Sequence, residues 1–213
     1  MTSAAAVHPS LSAHCSIKAL EGTSMAAPAA ASYALKIRQY FTKGFYPSGT
    51  ERHADGFVPS GALLKAILVH SGQQVHNILA ASSFGSPQVL TSGYPSNQQG
   101  FGRIQVDKAL NFGKSSLLPL TFFVVGCANS TSHHYAHIAK QTQVDGYTFR
   151  LSAPSAVRVT LAYTDYPGSP ATSNAMVNVL SVTLRNLRTG ALYSPYRPSG
   201  TVPSNLQVII QYS

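Results

Sequence analysis

Acid is what this sequence is short of. Its 213 residues include 6 Asp and Glu against 15 Lys and Arg, and charged residues make up only 10% of the chain. An average soluble domain carries roughly 25%. So little charge argues against a solvated helical bundle, and 16 Gly with 13 Pro point to turns and strands instead. The net charge of +9 invites a nucleic-acid reading. The basic residues are scattered, however, with no Lys/Arg run and no binding module. The charge reads as acid-poor composition, and no nucleic-acid partner is expected. Cysteine is scarce too. Cys15 and Cys127 form no CxxC pair, which argues against a structural zinc site and leaves either one long-range disulfide or two free thiols. No apolar run approaches the roughly 18 residues of a membrane span, so no membrane partner is expected. Residues 1–20 lack a basic start followed by an apolar core, so no signal peptide is expected and the compartment is left open. The triplet Asn129-Ser130-Thr131 is a glycosylation sequon that arises often by chance.

What is present suffices for a folded core: 44% of the residues are hydrophobic. Ala30, Tyr33, Ala34, Ile37 and Phe41 recur at helical spacing and predict a helix over 24–41, closed by Gly44. Pro28 is placed near its first turn, where a missing N–H costs little. Pro59 and Ser60 open a second helix, apolar on several sides, that ends at Ser71-Gly72. Residues 82–102 read as a long loop, and Asp107 to Phe112 as a short helical turn. After a boundary near Lys114 to Pro119 the texture changes to β-branched and aromatic runs: Thr121–Val125, Tyr147–Leu151, Val157–Tyr163, Val177–Leu184 and Leu206–Ile210. Val157, Val159, Leu161 and Tyr163 alternate with Arg158, Thr160 and Ala162, which predicts a strand with one buried face.

One serine stands out. A Ser or Thr ahead of a helix is usually an N-cap, and Ser24 in isolation would be read that way. Its setting, Gly22-Thr23-Ser24-Met25-Ala26-Ala27-Pro28, is unusual: small neighbours leave room for a substrate, and the helix N-terminus favours developing negative charge. All seven positions resemble the nucleophile motif of subtilisin-like serine proteases. Leu64-Lys65-Ala66-Ile67-Leu68-Val69 looks like the next core helix of that family. Gln99-Gly100-Phe101-Gly102-Arg103-Ile104, followed by Asp107-Lys108-Ala109-Leu110, looks like its Gln-Gly-(aromatic)-Gly-Arg segment. Val159 to Gly168, then Met176-Val177-Asn178, is similar to the β-sandwich that follows the catalytic domain in certain subtilases.

The resemblance implies acyl transfer on a polypeptide substrate. Ser24 Oγ would attack the peptide carbonyl, a histidine would take the proton, and an aspartate would orient that histidine. The Ser24 N–H and an asparagine side chain would hold the oxyanion. Family order places aspartate, histidine and asparagine before the serine, yet the 23 residues preceding Ser24 contain no Asp and no Asn. His8 and His14 lie upstream, outside any motif like the family's histidine segment. His53 with Asp55 pairs two suitable side chains on a loop that also reads as a solvated turn.

Among metal candidates, His133 and His137 would share a face on a helix, but their surroundings read as strand or loop. Related β-sandwiches imply calcium. Here Val179 and Ser181 stand where those carry acidic residues, and Asp165 alone supplies too few oxygens, so no cofactor is expected.

The expected architecture is α/β: the C-terminal fragment of a subtilisin-like domain (1–115) followed by an antiparallel, jelly-roll-like β-sandwich (116–213). The sandwich is expected to be truncated, because the chain stops directly after an apolar strand-like run. The expected function is that of a serine endopeptidase with Ser24 as its catalytic residue, inactive alone and needing an N-terminal segment with the rest of the triad, in the same or a separate polypeptide. The alternative is a non-catalytic remnant whose β-sandwich binds or stabilises.

Overall fold

A computed structural model describes residues 2–5, 16–19, 22–78, 88–89, 95–113, 144–151, 156–171, 176–195 and 206–211. Two helices dominate. The first, α1 (Thr23–Thr42), spans 20 residues. Its buried positions, Ile37, Tyr40 and Phe41, all fall in its second half at i, i+3, i+4 spacing, while Ser24, Ala26, Ala27 and Pro28 are exposed. Pro28 is the sixth helical residue, not a first-turn one. Its missing N–H therefore withdraws the bond that would end on the Ser24 carbonyl. The helix stops where Gly44 turns at φ +72° and donates to the Phe41 carbonyl at 3.0 Å.

The loop that follows folds back on the helix end: Arg52 N–H reaches Gly44 O at 3.2 Å, and Phe57 N–H reaches Phe41 O at 3.1 Å. The second helix, α2 (Gly61–His70), starts as the sequence predicts, with Ser60 Oγ accepting from Leu63 N–H at 3.1 Å. It is less buried than its apolar circumference predicts, since Ile67 is its one buried residue.

The core is small and aromatic. Ile37, Tyr40, Phe41, Ile67, Ala109 and Leu110 form its centre, with Phe45, Phe57, Leu63, Leu64 and Phe112 packed around it. Phe41 meets Tyr40 edge-on at 5.2 Å and Phe57 at 5.1 Å between ring centres. Tyr40 sends its hydroxyl to the Asn111 carbonyl at 2.7 Å, so a buried polar atom is satisfied where the chain after the 3-10 turn Val106–Lys108 returns to α1.

The strands form four two-stranded antiparallel ladders among the described residues: β1 (Thr2–Ala5) with β2 (Ser16–Ala19), β3 (Asn77–Ile78) with β4 (Gln88–Val89), β5 (Val157–Ala162) with β8 (Leu206–Gln211), and β6 (Leu184–Arg185) with β7 (Leu192–Tyr193). In the longest ladder Val157 pairs with Gln211 and Ala162 with Leu206. α2 packs against α1 on one side and β5 on another.

Three β expectations come out differently. β5 forms where predicted, but all six of its residues are half-buried and neither face is clean. Its polar face, with Arg158 and Thr160, is the one bonded to the end of α2. The Val177–Leu184 run forms a ladder only at Leu184–Arg185. The backbone before it is taken by side chains: Asp165 accepts from the N–H groups of Val177 and Asn178, and Tyr163 Oη accepts from Leu180 N–H at 3.3 Å. Residues 144–151 find no adjacent strand among the described residues, and Tyr147 and Val144 are 61% and 87% exposed. The Thr121–Val125 run and the boundary near Lys114 lie outside the described residues, as do Cys15, Cys127 and Asn129.

Candidate functional site

Ser24 sits in the second position of α1. The N-cap is Gly22, at φ 143°, and it makes no side-chain cap bond. Its carbonyl accepts from both Met25 N–H and Ala26 N–H at 3.1 Å. Ser24 is thus not the cap that an isolated serine suggests. The N–H groups of Thr23 and Ser24 precede the first intrahelical bond and lie at the positive end of a 20-residue helix. The Ser24 side chain is exposed, and its Oγ has no hydrogen-bond partner among the described residues. A hydroxyl beside uncommitted N–H donors can present a nucleophile and stabilise an oxyanion formed on it. It cannot ionise itself, and no base is supplied to it by the described residues.

The described histidines are otherwise engaged or turned to solvent. His53 lies on a 3-10 turn (His53–Asp55) with its side chain 85% exposed, and its Nε2 faces Glu51 Oε1 at 3.7 Å. Asp55 faces Arg52 at 3.5 Å instead of His53. The tempting His–Asp pair therefore does not form: His53 lies beside Glu51 and Asp55 beside Arg52. His76 is exposed. His8, His14, His133, His134 and His137 lie outside the described residues.

Asp165, the acidic residue of the β part considered for calcium, is committed to nitrogen donors. Its oxygens accept from Tyr166 N–H at 2.9 Å, Val177 N–H at 2.8 Å, Asn178 N–H at 3.1 Å and Asn178 Nδ2 at 2.8 Å. Desolvation pushes the carboxyl upward, but the donors on Asn178, Val177 and Tyr166 outweigh it and hold the group below its ordinary value. A carboxylate that accepts from four N–H groups acts as a clamp on the loop. Among the described residues no three His, Cys, Asp or Glu side chains converge. Replacing Asp165 by Ala should release the 176–178 segment. Hydrogen exchange at Val177 and Asn178 should quicken while Ile37 to Phe41 stay protected; unchanged exchange at those two amides would refute the clamp.

Among the described residues two open depressions are seen, and neither of these includes Ser24. One, of about 430 Å³, lies between α1, α2 and the 101–104 segment, lined by Ala30, Leu64, Leu68, Phe101 and Ile104 with Lys65 at its edge. The other, of about 600 Å³, is lined by Phe45, the 48–51 loop, Phe112 and Gly113.

The cluster that sequence reading missed is His70, Arg158 and Thr160. His70 Nδ1 lies 2.9 Å from Thr160 Oγ1, and an Arg158 guanidinium nitrogen donates to the carbonyls of His70 at 2.6 Å and Gly72 at 2.9 Å. A signal was present: the exposed carbonyls at a helix C-terminus attract a cation, and β5 carries a single one. Nothing in the spacing connected residues 88 positions apart.

Comparison with known proteins adds a family hint. The chain is 28% identical over 193 residues to the serine protease/ABC transporter B family protein tagA of Dictyostelium discoideum, covering 90% of this chain and 10% of that protein. It is 26% identical over 204 residues to tagD, covering 84% of this chain and 11% of that protein, and 28% identical over 107 residues to tagB, both of the same organism and the same description. The chain thus spans about a tenth of the length of the first two curated relatives. No family model and no solved structure matches. No helix among the described residues is long and apolar enough to cross a membrane. The chain is similar, at a distant level, to part of proteins described as serine proteases.

Proposed function

We propose that this chain is the nucleophile-bearing part of a subtilisin-like serine endopeptidase domain joined to a β-sandwich. The observation that carries the reading is the string Gly22–Pro28, with its serine exposed in the first turn of a 20-residue helix. The descriptions of the Dictyostelium relatives support the coarser part of it, a serine protease relationship. In the proposed reaction Ser24 Oγ adds to the carbonyl carbon of a polypeptide, and its proton passes to a histidine. The oxyanion takes a hydrogen bond from the Ser24 N–H. Collapse expels the amine, which recovers the proton and leaves an ester on Ser24 for water to hydrolyse. The described residues bring no histidine to Ser24, and in this reading the histidine, its aspartate and the oxyanion asparagine would be supplied by further polypeptide. Without them the chain is inactive, since losing a triad member costs several powers of ten in rate.

A second reading is favoured by one observation: Ser24 Oγ has no partner among the described residues. In that reading the chain is a non-catalytic remnant whose β part serves as a binding or structural module. A fluorophosphonate probe separates the two. The 213-residue chain should not label. The same chain fused behind the Asp-, His- and Asn-bearing half of a subtilisin-like domain should label and cleave casein, and Ser24→Ala should abolish both. A fusion that is folded by circular dichroism yet neither labels nor cleaves would leave the remnant reading standing.

A further inference from the structure

The contact between α2 and β5 is built on polar groups and one positive charge. Arg158 holds the carbonyls of His70 and Gly72 at 2.6 and 2.9 Å, and His70 Nδ1 meets Thr160 Oγ1 at 2.9 Å. The guanidinium thereby satisfies carbonyls that a helix C-terminus leaves orphaned and offsets their partial negative charge. An imidazolium at the end of α2 would ordinarily gain from that same charge, but Arg158 already occupies the place.

Among the described residues no carboxylate acts on the His70 ring: the segment bonded to Ser71 and Gln73 carries Arg103 and Asp107, and neither contributes to its shift. None of α1, α2, β5 and β8 contains an Asp or Glu. Their cations are Lys36 and Arg38 on α1, Lys65 on α2 and Arg158 on β5, and β8 has no ionisable residue. Among these groups, Arg158 is the one that acts electrostatically on the His70 ring.

We propose that the α2–β5 contact is an acid-sensitive joint, in which a proton on His70 undocks the β5–β8 ribbon from the end of α2 while the aromatic core on α1 stays folded. In the docked form an imidazolium would be partly buried, beside a guanidinium, with no carboxylate from the packed elements to share. In the undocked form water solvates both cations and the penalty disappears.

The direction follows from the shift. Burial first, and then Arg158, lower His70 from the usual 6.5 to about 4. The docked form therefore prefers the neutral ring. Docking is at full strength above pH 6.5 and weakens as pH falls from there through about 4. The ratio of undocked to docked chain should rise about a hundredfold over that window.

The test is amide hydrogen exchange on the full chain, corrected for intrinsic rates, at about pH 8 and about pH 4, on either side of the window. Freed from α2, a two-stranded ribbon is at best marginal, so protection in Val157–Ala162 should fall about a hundredfold while Ile37–Phe41 stay protected. His70→Asn, which keeps a neutral polar side chain, should remove the pH dependence at β5. The proposal is overturned if β5 protection holds in the native chain, if it falls equally in His70→Asn, or if β5 and the α1 core open together. Should His70→Asn fail to fold, the ring proton resonance of His70 decides. Titration below the ordinary value, with β5 amide shifts at the same midpoint, supports the joint; an ordinary value, or silent β5 amides, sinks it.

Discussion

Replacing Phe41 by alanine should cost about 3–5 kcal/mol, the usual range for a buried aromatic, and on so small a core that loss should unfold the helical part at ambient temperature. Phe41 is fully enclosed. Its ring touches those of Tyr40, Tyr46 and Phe57, and its carbonyl accepts from both Gly44 and Phe57 N–H. Removing the ring leaves a void between α1 and the 45–57 loop. That loop is held by backbone bonds to Phe41 and Gly44, so it cannot readily collapse inward, and poorly collapsing sites lie at the costly end of the range. Leu35 on the same helix is the control. It is 67% exposed, and Leu35→Ala should stay within about 0.5 kcal/mol of the parent. Urea unfolding followed by circular dichroism measures both. A Phe41→Ala midpoint indistinguishable from that of Leu35→Ala would remove Phe41 from the centre of the fold.

The same helix shows how much is legible in the sequence. The 3.6-residue pattern locates α1 to within a residue at each end, because Ile37 and Phe41 lie on the stripe that packs inward. Tyr40 lies on the same face, three residues after Ile37, but what satisfies its buried hydroxyl, the Asn111 carbonyl 71 positions away, is not legible locally. Ser60 is readable as the start of α2 because a cap is a local bond. In β5 the alternation is real but it does not separate a buried face from an exposed one. The Arg158/Thr160 face, which looks destined for water, meets the orphan carbonyls of α2. Alternation separates two faces of a strand; it does not say which partner each face meets. The failure at Val177–Leu184 has a similar root, since strand propensity cannot anticipate that Asp165 and Tyr163 take those N–H groups first.

The site divides along the same line. Ser24 and its small neighbours are contiguous, so motif and helix start can be read directly from residues 22–28. The base belongs to the part of a site that only tertiary structure assembles. The described residues bring His53 to Glu51 and His70 to Thr160, and neither to Ser24. The exposed first half of α1 accords with this. Ala26, Ala27 and Pro28 are small apolar residues facing water, whereas the second half of the helix is packed in the core.

Gly72→Ala should be about as damaging as the loss of Phe41, for a reason the sequence does not display. Ser71-Gly72 reads as a helix stop, which suggests that glycine is there for a left-handed turn. Gly72 does not have a positive φ. What it has is a neighbour: a Cβ at this position would lie 1.8 Å from the Phe101 carbonyl oxygen and 2.9 Å from its carbon. Both are backbone atoms, and that backbone is pinned. Gln73 and Arg103 exchange two bonds of 2.9 and 2.8 Å, and Gln105 N–H reaches Ser71 O. A methyl group must break this pairing or displace the end of α2, where Gly72 O also accepts from Arg158. Overpacking against flexible side chains costs about 1–3 kcal/mol; against fixed backbone the cost should reach about 3 kcal/mol or more, and the β5 contact should loosen at neutral pH. Gly61→Ala supplies the contrast. It is the first residue of α2, and a methyl group there would find no atom within 4 Å, so alanine should be neutral or stabilise by up to about 1 kcal/mol. Urea midpoints for the two variants should move in opposite directions or by very unequal amounts. Equal, small shifts would mean that the 101–103 segment yields freely, and that the close approach at Gly72 does not hold the end of α2 in place.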